Sequence, residues 1–155
     1  MQNESPLAEK CVSDVWNLVV RQPSTVTLND SIRHLLQITI ADTRTRHTYV
    51  IDANRILIGC VRMNALVEYL FPIEAIVRDV EQAYTITLNR LPARTIEELM
   101  DPKPKFVHPF TPLSEVANIL MEEKINELPI VDDSHRLVGQ VNIYEMIMSY
   151  LDPHL

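Results

Sequence analysis

"TYVIDANRILIGCVRMNALVEYL" (Thr48–Leu70) decides the fold, because the chain carries its pattern twice. Eighty residues on, "LPIVDDSHRLVGQVNIYEMIMSYL" (Leu128–Leu151) matches it in type at Val50/Ile130, Ile51/Val131, Asp52/Asp132, Leu57/Leu137, Ile58/Val138, Gly59/Gly139 and Val61/Val141. Gly59 and Gly139 are the chain's 2 glycines, and this offset lays one on the other. Upstream, "STVTLNDSIRHLLQ" falls on "KFVHPFTPLSEVAN" at a spacing of 81, so that Val26 meets Val107, Ile32 meets Leu113 and Leu35 meets Val116. One residue is gained or lost between the two blocks. The pattern reads as a duplication.

Both copies spell the same order of elements. A short β-rich stretch (Thr25–Thr27; Phe106–His108) leads into a cap, with Asn29 or Asp30 in that role in the first copy. Thr111 takes it in the second, followed by Pro112 at the first helical position. Apolar residues at helical spacing follow: Ile32, Leu35, Leu36 and Thr39, then Leu113, Val116, Ala117 and Leu120. Two short apolar strands joined by an Asp-rich turn come next, "YVIDANRILIGCV" and "PIVDDSHRLVGQV". A closing helix runs from about Asn64 to Leu70 and from about Tyr144 to Leu151. Each unit is therefore β-α-β-β-α, and neither is large enough to be comfortable alone. The expected architecture is mixed α/β (α+β), two pseudo-symmetric units packed sheet to sheet. The division is 1–71 for the first unit (core about 12–70), 72–94 for a helical connector and 95–155 for the second. In the connector, Ile73, Ile76, Val77 and Val80 suggest a helix beyond Pro72, and Pro92 breaks the chain before the short helix "TIEELM".

Composition narrows the class. The chain is 46% apolar and 23% charged, which is ordinary globular usage. No apolar run reaches the ~18–20 residues that cross a bilayer. "MQNESPLAEK" lacks a signal pattern, and Cys11 and Cys60 are too few for a disulfide scaffold, so a reducing cytoplasm is expected. The opening methionine and the end after Leu155 argue for a free-standing module rather than a fragment of a longer enzyme or transporter. A formal net charge of −7 argues against a nucleic-acid polymer or an anionic membrane as partner. The local sign differs: Arg44, Arg46, Arg55 and Arg62 face a single acid, Asp52, between Thr43 and Arg62.

The duplicated order resembles a tandem pair of cystathionine-β-synthase (CBS) domains, the Bateman module. "TIEELMDPKPKFV" is similar to the family's lead-in, and "INELPIVDDSHRLVGQVNIYEMI" to its second strand, hairpin, glycine-started third strand and final helix. The first copy matches more loosely. Its lead-in "VSDVWNLVVRQPSTVTL" is longer, and Tyr49 stands where the second copy has Pro129. The resemblance implies a cleft between the units that binds AMP, ADP, ATP or S-adenosylmethionine, with no cofactor required. It also implies a glycine placed where a side chain would obstruct packing or the ligand's approach.

After that glycine the family favours "G-x-x-[ST]-x-x-D", the hydroxyl contacting phosphate and the Asp taking both ribose hydroxyls. This chain departs from the pattern twice. "GQVNIYE" offers Asn142 and Glu145, which keeps an amide donor and a two-oxygen acceptor. "GCVRMNA" offers Arg62, suited to a phosphate, and Ala65, which accepts nothing. The second copy is thus expected to be the better nucleoside site, and the first to be empty or to hold a polyphosphate. Arg44, Arg46 and His47 in the first copy, and Asn126, Glu127, Leu128, Pro129 and Ile130 in the second, hold the places close to the family's cleft. Val26 and Val107 stand beside the base in the same picture. Leu128, Ile130, Val26 and Val107 also suit a plain core, Glu145 a solvated first-turn acid, and Arg62 a surface position.

Nothing in the sequence argues for catalysis. His34, His47, His108, His135 and His154 lack zinc-like spacing, and two separated glycines cannot build a phosphate loop. The expected function is a regulatory, adenosyl-sensing homodimer that reports to an unidentified regulated protein. The alternative is a ligand-free CBS dimerisation and interaction module. Leu66, Val67, Leu70, Met146, Ile147 and Tyr150 supply the apolar surface that motivates the dimer.

Overall fold

The computed structural model describes residues 7–19, 22–71 and 94–155. The expected connector helix at Ile73, Ile76, Val77 and Val80 lies outside the described residues. Two compact units emerge, named here by their glycines. The Gly59 unit comprises 24–53 and 58–104, and the Gly139 unit 1–23, 54–57 and 105–155.

In the Gly59 unit, β1 (Thr25–Val26) runs parallel to β2 (His47–Ile51), with Val26 opposite Val50. The strand β3 (Leu57–Arg62) completes a sheet of order β1-β2-β3. Among the described residues three helices flank it: α1 (Ile32–Ala41), α2 (Met63–Leu70) and the short α3 (Ile96–Leu99). In the Gly139 unit, β4 (Glu127–Val131) pairs antiparallel with β5 (Leu137–Asn142), setting Ile130 against Gly139 and Leu128 against Val141. Its helices are α4 (Leu113–Glu123) and α5 (Ile143–Leu151), preceded by one 3-10 turn at Val12–Asp14. The strand expected at Phe106–His108 shrinks to one parallel bridge, Val107 to Ile130. It is held by Val107 N–H to the Pro129 carbonyl (3.0 Å) and Val131 N–H to the Val107 carbonyl (2.9 Å).

The expected caps are corrected in both copies, and for one reason. Asn29 or Asp30 does not cap α1; Ser31 does, its Oγ accepting the His34 N–H at 3.0 Å. Thr111 does not cap α4, because Pro112 itself occupies the cap position and the helix begins at Leu113. Asp30 and Thr111 instead close the turn ahead of the helix. Asp30 accepts the Thr27 N–H at 2.7 Å, and Thr111 Oγ1 accepts the His108 N–H at 2.9 Å. A short polar side chain serves a turn as well as a cap, and residue type alone does not separate the two.

The hairpin tips also match. Arg55 (φ 65°) and His135 (φ 63°) take the left-handed conformation at equivalent places. They exchange reciprocal bonds with the start of the other strand: Leu57 N–H to the His135 carbonyl at 3.1 Å and Leu137 N–H to the Arg55 carbonyl at 2.9 Å. Those bonds explain why 54–57 groups with the Gly139 unit.

The cores correspond position by position. Val26, Ile32, Leu35, Val50, Val61 and Leu66 fill one; Val107, Leu113, Val116, Ile130, Val141 and Met146 fill the other. Copies and units are nonetheless cut differently. Ile96 and Leu99, ahead of the second copy, complete the core of the Gly59 unit. Val12 and Val15, ahead of the first copy, complete the core of the Gly139 unit. Each lead-in is thus lent to the unit built on the other copy. All four side chains are buried, each adding roughly 1.5–3 kcal/mol of apolar transfer to a small core.

That exchange explains the glycines. A Cβ on Gly139 would meet the Trp16 ring at 2.9 Å, and one on Gly59 would collide with the Met100 sulfur. Trp16 and Met100 follow the buried pairs Val12/Val15 and Ile96/Leu99 at the same spacing. Of the two reasons expected for glycine, an obstructed packing is the one observed.

Candidate ligand-binding site

The junction of β5 and α5 gathers the polar chemistry of the Gly139 unit. Asn142 ends the strand and caps the helix: its Oδ1 accepts the Glu145 N–H at 3.1 Å, while Glu145 Oε1 accepts the Asn142 N–H at 3.3 Å. This is a reciprocal capping box, which satisfies two amide groups that a helix start otherwise leaves open. The second oxygen of Glu145 accepts the Leu18 N–H at 3.0 Å, and the Val19 amide adds a further bond. The carboxylate thereby pins the lead-in of the first copy. Glu145 is fully buried, neither a solvated first-turn acid nor open to ligand in this conformation. Burial pushes its carboxyl up to about 7, while the Leu18, Asn142 and Val19 amides pull the other way.

Asn142 has one side-chain group left over. Its Nδ2 is buried with no hydrogen-bond partner among the described residues. On the same strand Gln140 donates from Nε2 to Glu127 Oε2 at 3.2 Å, and its Oε1 is likewise unmatched. A buried donor and a buried acceptor left open are costly, by ~1–3 kcal/mol each, unless something else meets them.

In the Gly59 unit the equivalent junction is built differently. Arg62 holds the cap position of α2 without a side-chain cap bond. Its guanidinium lies 3.6 Å from Asp101 Oδ2, on the lead-in that pairs by backbone with Cys60. Ala65 offers no acceptor. Arg46 is exposed, and its carbonyl accepts the Met63 N–H at 3.0 Å, just as the Asn126 carbonyl accepts the Ile143 N–H at 2.9 Å. His47 is buried at the start of β2, its ring stacked with Tyr49.

The structure therefore brings Asn126, Asn142 and Glu145 together at one strand–helix junction, and Arg46 and Arg62 at the corresponding one. Val26, Val107, Leu128 and Ile130 are members of the apolar cores. Pro129 is buried in mid-strand, its carbonyl taken by Val107. Sequence reasoning overlooked Leu18, Val19 and Gln140, and it set Glu127 at the cleft without its bond to Gln140. A signal existed for the box itself: Asn-x-x-Glu ahead of an apolar run is a capping signature. No such mark distinguishes Leu18, which contributes only a backbone amide.

Among the described residues no group of three or more His, Cys, Asp or Glu is arranged to hold a metal, and no helix is long and apolar enough to cross a membrane. A duplicated unit in which a glycine-bearing strand runs directly into a helix is the pattern of a CBS pair. The chain belongs to the CBS domain family, whose model matches residues 12–72 and 96–152. A 65-residue stretch is 32% identical to the chloroplastic CBS domain-containing protein CBSX2 of Arabidopsis thaliana, covering 38% of this chain and 27% of that protein. This chain thus aligns with about a quarter of its curated relative's length. The fold is also that of CBSX2 solved in complex with AMP (TM-score 0.69, 21% identity, 94% of this chain and 98% of that one). A third likeness is the CBS domain pair of protein MJ0100, solved with 5′-methylthioadenosine and S-adenosyl-L-methionine (TM-score 0.66, 22% identity, 91% and 99%).

Proposed function

We propose that this chain is a regulatory module that senses an adenosine-containing ligand: AMP, ADP, ATP or S-adenosylmethionine. The observation that carries the reading is the β5–α5 junction. There a buried, unmatched amide donor, Asn142 Nδ2, lies within one helical turn of the two-oxygen acceptor Glu145. A nucleoside offers complementary groups, a vicinal diol that donates to a carboxylate and a phosphate or carboxyl that accepts from an amide. The start of α5 adds a partial positive charge suited to an anion. Two proteins of the same fold solved with adenosyl ligands support the choice of ligand class.

In the Gly59 unit the ribose acceptor is missing at Ala65, and Arg62 is the group for a phosphate. Asp101 holds it at 3.6 Å in a half-exposed pair, weak enough for a phosphate to displace. Regulation then follows if the ligand prefers one conformation of the chain over another.

A second reading, a ligand-free module for dimerisation or docking, is favoured by one specific observation. Apolar residues stay exposed at matched positions of both copies: Ile40 (75%) with Met121 (76%), and Val67 (51%) with Ile147 (47%). On the Gly59 unit they border a groove of about 910 Å³ between α1 and α2. A homodimer through these faces is compatible with either reading. A thermal-shift series with AMP, ADP, ATP and S-adenosylmethionine separates them. A binder melts higher as its ligand exceeds Kd, with ~2.7 kcal/mol of added stability at a hundredfold excess. No shift with any of the four rejects the sensing function and leaves the docking one.

A further inference from the structure

The Glu145 carboxylate is claimed twice. Its Oε2 holds the Leu18 amide at 3.0 Å and its Oε1 the helix cap at 3.3 Å, with no exposed surface left on the residue. The functional reading above gives the same carboxylate to a ribose diol, and the inference that follows rests on that reading. Four acceptor directions on a carboxylate do not accommodate two backbone amides of the lead-in, one of the cap and two hydroxyls together.

We infer that the lead-in segment Leu18–Val19 is an internal competitor for the ligand: its amides occupy the ribose acceptor of the Gly139 unit, and a nucleoside binds there by displacing them. Ligand binding and release of the lead-in are then one event. The parts of the segment fit this role. Leu18 is 37% exposed, so its side chain does not anchor the strip. Asn17, just before it, adopts a left-handed φ of 67°, a conformation that asparagine accepts more readily than most non-glycine residues. The segment is held by Val12 and Val15 upstream in the core, by Trp16 over Gly139 and by the Glu145 bonds. The Gly59 unit has no such device, since its lead-in is held by backbone pairing of Asp101 with Cys60 and Ala65 replaces the carboxylate.

Competition also supplies an output. Trp16 lies two residues before Leu18, packed over Gly139, so a lead-in that lets go of Glu145 loosens the ring that caps the strand. A bound nucleoside is thereby converted into an altered N-terminal segment, a signal that a partner can read.

The test uses the full chain and its single tryptophan, Trp16. AMP, ATP and S-adenosylmethionine are titrated while heat and Trp16 emission, excited at the red edge, are recorded together. The expected result is a red shift of emission that saturates with the heat. Heat without any change at Trp16 overturns the inference and leaves the adenosyl function standing. Leu18→Pro, which removes one competing amide at a half-exposed position, is expected to bind the same ligand roughly three- to tenfold tighter, the net worth of one intramolecular hydrogen bond. Unchanged or weaker binding by that variant, folded by circular dichroism, also overturns it. Silence from both proteins across the three ligands rejects the ligand class itself, and the competition with it.

Discussion

Burial and hydrogen bonding act on the Glu145 proton in opposite senses, and burial wins, so its carboxyl is raised from 4.5 to about 7. In the unfolded chain the group ionises near its ordinary value. Between these two points the folded state keeps a proton that the unfolded state has lost, so stability is full below ~4.5 and falls as pH rises through 7. The expected loss is at most about 3 kcal/mol, read as a drop in the urea midpoint between pH 5 and pH 8. Glu145→Gln is expected to flatten that profile, and an undiminished slope in the variant would remove Glu145 as its source. Asp14, Asp42 and Asp132 have lowered values and act only in stronger acid, outside this window. Gly139→Ala is a second test at this scale. A methyl group 2.9 Å from the Trp16 ring should cost about 1–3 kcal/mol and shift Trp16 emission, whereas a change without either effect contradicts the packing described. The capping box at Asn142 and Glu145 was readable from residue type and spacing. Its bond to Leu18 was not, because a backbone amide looks alike at every position.

Helices announced themselves through periodicity: α2 and α5 start within a residue of the expected bounds, and α1 and α4 contain the apolar faces that the spacing marks. The turn-closing roles of Asp30 and Thr111 did not, for they depend on which backbone N–H lies within reach. Nor did the shortness of the Val107 bridge, since β propensity says nothing about whether a partner strand continues. The lead-ins were visible as segments, but their destination was not. A four-residue helix such as α3 has one apolar face and no sequence mark of the unit that will bury it. Its energetic weight can be measured. Ile96→Ala is expected to cost about 2–5 kcal/mol, while Glu97→Ala on the exposed side should stay within ~0.5 kcal/mol. Equal effects in urea titrations would mean that α3 does not complete the core of the Gly59 unit.

Duplication organises the molecule as a whole. Equivalent residues fill both cores, equivalent hairpin tips are left-handed, and equivalent helix faces stay apolar and exposed. What the copies do not share is the chemistry of the strand–helix junction: Asn142 and Glu145 in one, Arg62 and Ala65 in the other. An exposed face kept apolar in both copies calls for a partner, and a second copy of the chain is the expected one. Light scattering is then expected to give the parent twice the monomer mass of 17.9 kDa, and Ile40→Glu combined with Met121→Glu the monomer mass itself. A parent already monomeric would contradict the dimer. The duplicated fold was legible in the sequence because glycine spacing and apolar pattern survive divergence, whereas the exchange of lead-ins is a property of three dimensions. The most direct test of the central claim is a crystal structure of the full chain grown with saturating AMP. The account predicts ribose hydroxyls within hydrogen-bond reach of the Glu145 carboxylate and the Leu18 amide moved off it. AMP bound elsewhere, or Leu18 still on Glu145 beside a bound nucleotide, would contradict it.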